Sequence, residues 1–352
     1  MKAFRILTAS TLATLFAAAA QAQTISITNR TYGTIATIPG AQSIIDTQLD
    51  TLQSEINKAL PGWESNKVAN ATALAGSGLG ADYSDVFSWA LLGGNVGVSA
   101  GSNIFSFMKG DAKLDTLPAV GAQGNVLLGF NLGQLAKAKF GFFDMSKLKV
   151  YASFFSYSHN INFDDFGLDA SVSHWSLKGQ YKLFSGVGPG LARWTGVDIT
   201  SGLSQSKTTL KLSTSISQSV DVDGVPGVTS FSFTGKPVID IDSSVFVIPV
   251  DVSTGVQLGY FLNLYAGLGL DFVFGSSKIP AADFGDISGS GAAASEITAD
   301  VLLSETSGSP TVANMRYFAG LGLDGKVIGT FVQFNGNVTG QLGGTVGVRA
   351  YW

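Results

Sequence analysis

Cysteine is absent from the 352 residues, so disulfides, thiol nucleophiles and thiolate metal ligands are excluded. Histidine occurs only twice, at His159 and His174. A metal centre needs more ligands than that or a carboxylate cluster, so neither metal nor cofactor is expected. Charge is scarce too: 13% of residues are Asp, Glu, Lys or Arg, against roughly 25% in a soluble domain. A water-facing surface so poor in charge would associate through apolar patches; a surface facing lipid would not. The net charge of −4 comes without a basic cluster, which argues against nucleic acid as a partner. Beyond the N-terminus no apolar run approaches the roughly 20 residues of a membrane helix.

What the chain does have is glycine, 44 residues, and phenylalanine, 24. Low charge with high glycine suits a membrane barrel and also some secreted β-solenoids. The N-terminus narrows the choice. Lys2 and Arg5 precede an apolar stretch from Ile6 to Ala20, and Ala20-Gln21-Ala22 has the A-x-A form of a signal-peptidase site. Residues 1–22 are expected to be a signal peptide, whose removal leaves 19 basic against 25 acidic residues. A secreted chain without a helical anchor can still cross a membrane as a closed barrel, where every backbone group finds a partner.

Residues 23–85 do not read as barrel strands. Ile45, Leu49, Leu52, Ile56 and Leu60 fall at helical spacing between Pro39-Gly40 and Pro61-Gly62, and Ser43 with Asp46 resembles a capping box. This predicts an amphipathic helix over 41–60, placed in the periplasm or as a plug in the lumen. Residues 64–85 read as a polar, Ala- and Gly-rich connector.

From Val86 the period becomes two. In the clearest hairpin Phe246, Ile248, Val250, Val252, Val256, Leu258 and Tyr260 share one face. Leu264, Ala266, Leu268, Leu270, Phe272 and Phe274 share one face of its second arm. Runs of about 10 residues with this alternation suit a membrane barrel. The expected strands are 86–99, 118–132, 147–158, 168–183, 192–210, 244–260, 264–275, 312–324, 326–335 and 341–352. Residues 211–243 either add a hairpin around Asp223-Gly224-Val225-Pro226 or extend two strands beyond the membrane. Surface loops are expected near 100–117, 211–243 and 276–311, and the connection 133–146 is long for a periplasmic turn.

The last strand carries the resemblance. Gly344, Val346, Val348, Ala350 and Trp352 share one face and Thr345, Gly347, Arg349 and Tyr351 the other, ending on an aromatic. This resembles the C-terminal strand of Gram-negative outer-membrane β-barrel proteins, although Ala350 stands where an aromatic or large apolar residue is common. The resemblance implies an all-β, antiparallel up-and-down transmembrane barrel of about 10–14 strands over 86–352. It also implies outer-membrane localisation, surrounding lipid, and Trp352 as a signal to the barrel-assembly machinery. Gly93-Gly94-Asn95-Val96-Gly97-Val98 echoes Gly343-Gly344-Thr345-Val346-Gly347-Val348, in the first and last strands, which must meet if the barrel closes.

With the phase set, the inward faces supply candidate binding residues: Tyr151, Phe155 and Tyr157 in one strand, His174, Lys178 and Lys182 in the next. Asp251, Asp271, Asp324 and Arg349 face inward elsewhere. Ser158–His159 and Ser173–His174 could imitate a hydrolytic pair, but adjacent strand residues face opposite ways, so no enzyme is expected. The inward glycines Gly255, Gly259, Gly267, Gly269, Gly320, Gly322 and Gly347 either let a plug approach the wall or ease curvature. Long-chain fatty-acid transporters of the outer membrane have an N-terminal hatch of this kind, and the Tyr151–Phe155–Tyr157 row could line a path for an apolar ligand. The expected function is a barrel that passes or binds small molecules. The alternatives are a surface adhesin or receptor using the long loops and, behind it, a barrel enzyme.

Overall fold

The computed structural model describes residues 24–59, 64–84, 89–101, 119–135, 139–140, 143–162, 166–188 and 191–352. The expected signal peptide, Leu60 and most of the 100–117 loop lie outside them. Ten antiparallel strands form the wall: β1 (Ala90–Gly101), β2 (Val120–Asn131), β3 (Leu148–Asn162), β4 (Phe166–Ser185), β5 (Ala192–Thr214), β6 (Val238–Leu258), β7 (Leu262–Ile279), β8 (Ala313–Asp324), β9 (Ile328–Asn337) and β10 (Gln341–Tyr351). Each strand pairs with its sequence neighbours, and β10 returns to β1 through Val346↔Val96 and Arg349↔Gly93. The two echoed Gly-rich segments are thus the closing seam. Closure removes the edge that an open sheet would present to lipid.

The wall carries its apolar residues outward. Val96, Val126, Leu128, Leu177, Leu203, Val252, Leu268, Leu270, Leu321 and Val348 are all exposed, each alternating with a buried polar or small neighbour. Trp89, Trp194, Tyr260, Phe261 and Trp352 are exposed at the end with the shorter turns, where a membrane barrel places an aromatic girdle. Among the described residues no helix is long and apolar enough to cross a membrane.

Strand length is uneven around the ring. β8, β9, β10, β1 and β2 have 10–12 residues, whereas β3 to β7 have 15–23. The five long strands are contiguous and rise past the membrane as a palisade. A cap leans against its inner face. Ile25–Thr31, Thr298–Leu303 and Ala282–Asp286 form one three-stranded sheet of the cap, and Ile216–Asp221, Ser230–Gly235 and Ser288–Ser290 form another. The segments expected as loops at 211–243 and 276–311 are therefore folded: the first extends β5 and β6 and also inserts a hairpin outside the wall.

Helix α1 (Ala41–Ala59) forms where the 3.6 period places it. Ile45, Leu49, Leu52 and Ile56 are fully buried, packed with Phe231, Phe233, Ile239, Ile241 and Val301 in the cap core. Its polar side shields a sheet edge: Asn57 Oδ1 accepts from Ile25 N at 2.7 Å and Gln53 Oε1 from Ile27 N at 2.8 Å. The helix belongs to the cap at the long-connection end and does not enter the lumen.

The lumen holds the segment read as a connector. Residues Ser65–Ser77 form helix α2, buried from Val68 to Ser77 without interruption. Eight strands enclose a space that side chains alone fill; ten leave room that α2 occupies. Alanine supplies both high helix propensity and a thin helix, and the wall makes space at Gly121, where a Cβ would lie 2.5 Å from Ala71 O. The chain thus runs from the cap down the barrel axis and enters β1 at the short-turn end.

An occupied lumen with two arginine centres

The lower end of α2 is held by a wall lysine. Lys178 Nζ donates to Ser77 O at 2.9 Å and also to Leu79 O, satisfying carbonyls that a helix terminus leaves orphaned. Higher up, Ser99 Oγ donates to Ala71 O at 2.5 Å, Gln341 Nε2 to Lys67 O at 3.2 Å, and Asn70 Oδ1 accepts from Thr311 N at 2.9 Å. Ala69 and Ala73 pack on Val245, Val247 and Val273.

Below α2, residues 81–84 fill the barrel floor and meet two buried arginines. Arg316 Nη2 donates to Asp251 Oδ1 at 2.6 Å and Nε to Asp271 Oδ2 at 3.1 Å, while Tyr83 Oη donates to the other Asp251 oxygen at 2.7 Å. Arg349 Nη2 donates to both Asp324 oxygens, at 2.9 and 3.0 Å, and its Nη1 reaches Asp82. Asn263 Nδ2 also donates to Asp324. A buried charge is tolerated only when paired and hydrogen-bonded, and here each guanidinium has two carboxylates. Arg349 thereby ties the wall to the plug through Asp82. Tyr83 adds rings to the same joint, 4.6 Å from Phe318 and 6.3 Å from Tyr265.

The inward glycines serve the arginines and rings. Tyr265 lies over Gly320, Phe318 over Gly267 and Phe331 over Gly347, each the directly paired residue across a ladder. Gly269 and Gly322 leave room for Asp251 and for Arg349. Those that face the plug are others, Gly97 and Gly121, together with Gly76 on α2 itself.

Of the sequence-predicted site residues, the structure brings Tyr151, Lys178, Asp251, Asp271, Asp324 and Arg349 around the plug. Tyr151 Oη donates to Gln180 Oε1 at 2.6 Å and to Asp82 O at 3.3 Å. His174 is buried, with Nδ1 3.0 Å from Ser206 Oγ, a serine that sequence reasoning passed over. Among the described residues its Nε2 has no hydrogen-bond partner. Lys182 lies lower, 3.9 Å from Asp198 and donating to Thr195 O at 3.1 Å. Phe155 and Tyr157 stand apart, higher on β3, stacked on each other with 6.2 Å between centroids, and Tyr157 stacks in turn on His159 at 5.9 Å. Arg316, Asp82 and Tyr83 are the functional residues missed. Among the described residues no group of His, Asp and Glu could hold a metal ion.

Outside the membrane the cap is pinned by exposed polar contacts. Glu296 Oε2 accepts from Thr34 Oγ1 at 2.5 Å and Thr34 N at 2.6 Å. Those two bonds, side chain first, hold its carboxyl below the usual range.

A closed ring with an apolar exterior, aromatic belt and polar, occupied interior defines the class: an outer-membrane-type transmembrane β-barrel with an internal plug. Within that class the chain belongs to the Lsa36-like family, whose family model matches residues 19–352. No curated protein matches it. Among solved structures, the chain is similar to the transport unit of the autotransporter AIDA-I from Escherichia coli, at 9% identity over 82% of this chain and 98% of that one, with TM-score 0.36. The translocator domain of the autotransporter NalP from Neisseria meningitidis gives 10% identity over 92% and 99%, with TM-score 0.31. The Acinetobacter baumannii outer membrane protein Omp33 gives 7% over 76% and 99%, with TM-score 0.25.

Proposed function

We propose that this protein is a surface-exposed binding protein of receptor or adhesin type, a sealed barrel that holds a folded cap outside the membrane on five long strands. One observation carries this reading: α2 and residues 81–84 fill the lumen and are bonded to its wall, while the cap buries an apolar core against the long strands. A diffusion pore needs a continuous wet path, and the space left beside Asp82, Tyr83 and Arg349 amounts to about 10 Å³, no more than one water occupies. In this reading the polar luminal residues, including Tyr151, His174, Lys178 and Arg349, bind the plug. Short turns face the periplasm, and the signal peptide and the assembly machinery that reads Trp352 deliver the chain to the outer membrane.

The test joins two measurements on the intact protein. An epitope inserted at Gly285, which has open space around it, should be stained on intact cells, and planar bilayers containing the protein should show no steady conductance. Staining only after permeabilisation overturns the orientation; a steady open conductance overturns the seal. A second reading, a small-solute channel gated by plug movement, is favoured by buried wall atoms without protein partners, among them both amide atoms of Asn125, Thr200 Oγ1 and Ser204 Oγ. That reading requires conductance steps under voltage in the intact protein.

A further inference from the structure

The outer face of the palisade changes character within two residues. Trp175, Gln205, Phe246 and Phe274 form one cross-strand row, with Trp175 Nε1 bonded to Gln205 Oε1 at 2.8 Å and its ring 6.4 Å from Phe246. From Leu262 to Phe274 the strand advances about 30 Å along the membrane normal, at roughly 3.4 Å per residue and a tilt of about 40°. The row therefore lies at the far hydrocarbon boundary. Immediately above it Ser244 pairs with Lys207 on one side and Ser276 on the other, and above that Asp242 pairs with Thr209 and Lys278. These six residues line a shallow depression of about 300 Å³. Both lysines are exposed, and among the described residues neither has a carboxylate within ion-pair distance, unlike Lys211, which reaches Asp240 at 3.3 Å. Asp242 is the one acidic group there, and it accepts from Thr209 Oγ1 at 2.8 Å.

We propose that this depression binds the phosphate of an anionic lipid headgroup in the surrounding leaflet. Two lysines against one carboxylate leave a net positive charge, which favours a headgroup whose phosphate is not balanced by a cation of its own. Ser244 and Ser276 supply hydroxyl donors between the lysines, and the acyl chains continue down over Phe246, Phe274 and Trp175, an interface that already faces lipid. Depth, charge and continuity with the apolar band select a lipid over free phosphate.

The test uses the full chain in detergent with mixed phosphatidic acid and phosphatidylcholine, with retained lipid measured by native mass spectrometry. The wild type should retain phosphatidic acid preferentially. Each lysine lost, in Lys207→Gln and Lys278→Gln, should lower that preference about fivefold; Asp242→Asn should raise it; Lys58→Gln, far off in the cap, should leave it unchanged. Equal preference in the double lysine variant and the wild type overturns the site. Displacement of the lipid by inorganic phosphate alone would show a phosphate site and overturn the lipid assignment.

Discussion

Arg349 is the residue through which the closing strand grips the plug, and its removal should be costly in a way that can be calculated. The side chain is about 4% exposed and lies between Asp82 of the plug and Asp324 of β8. Arg349→Met keeps the length and the packing over the Phe331 ring, 5.3 Å from the guanidinium, but leaves two buried carboxylates without their cation. Breaking a buried pair by removing one partner costs about 3–5 kcal/mol, or about two to four powers of ten in the folded-to-unfolded ratio. Asp82→Asn should cost less, because Arg349 keeps Asp324 while the plug loses its ionic tie. The triple variant Arg349→Met, Asp82→Asn, Asp324→Asn should recover much of the loss, since replacing a whole buried set is often near neutral. Urea titration of the refolded barrel, read by heat-modifiable gel mobility, measures the stabilities, and planar bilayers report whether the plug has loosened. A loss below about 1 kcal/mol for Arg349→Met, or a triple variant no more stable than the single, would refute the buried-charge reasoning.

Three further outcomes follow from particular contacts. Gly121→Val should unseat the plug, because its Cβ would lie 2.5 Å from Ala71 O and 2.6 Å from Ala71 C; overpacking of this kind costs about 1–3 kcal/mol, and conductance should appear in bilayers. At the cap joint, Glu296 has a folded-state pKa below its unfolded value, so its contribution is present above about pH 4.5 and is lost as pH falls through the folded value. Limited proteolysis of the cap should accelerate over that acid range in the wild type and lose that component in Glu296→Gln. Trp352→Ala should impair insertion in cells, seen as loss of the heat-modifiable band from the membrane fraction; a normal band would count against the assembly-signal role.

The wall was legible because every strand writes its two environments in alternation: Val346, Val348 and Leu268 outward, Thr345, Arg349 and Asp271 inward. Helix α1 was legible for the same reason at a period of 3.6, having one apolar side. Its place was not, because Ile45 and Leu49 suit a cap core as well as a lumen. Helix α2 was illegible by periodicity, since a helix enclosed on all sides has no apolar stripe. Its residues Val68-Ala69-Asn70-Ala71-Thr72-Ala73-Leu74-Ala75-Gly76 read as a linker. One signal was present: no charged side chain occurs between Lys67 and Asp82, which suits a buried segment better than an exposed connector. Missing the plug hid the partners of the luminal charges, so Arg349 was placed but Asp82 was not. Arg316 shares the inward row of β8 with Asp324, and continuing that row past Gly320 and Phe318 reaches it.

β6 shows where the membrane ends without any bound lipid. Above Phe246 its inward residues Ile239, Ile241 and Val245 are buried and apolar, with Ser243 the one polar residue in that row, and its outward residues Asp240, Asp242 and Ser244 are polar. Below Ile248 the faces exchange: Asp251 and Ser253 point inward, Val250, Val252 and Val256 outward. Across Val245–Val250 both faces are apolar. A strand that passes from a water-facing palisade over an apolar core to a lipid-facing wall over a polar lumen must invert its pattern, and the inversion coincides with the Trp175–Phe274 row. Arginine at Val252 should therefore cost about 2–4 kcal/mol, the penalty near a bilayer midplane. At Ser244, eight residues nearer the cap on the same face, it should cost about 0–1 kcal/mol, as at an interface. Equal costs at the two positions in reconstituted bilayers would mean that the boundary lies elsewhere, and the lipid site above Phe246 would lose its depth argument with it.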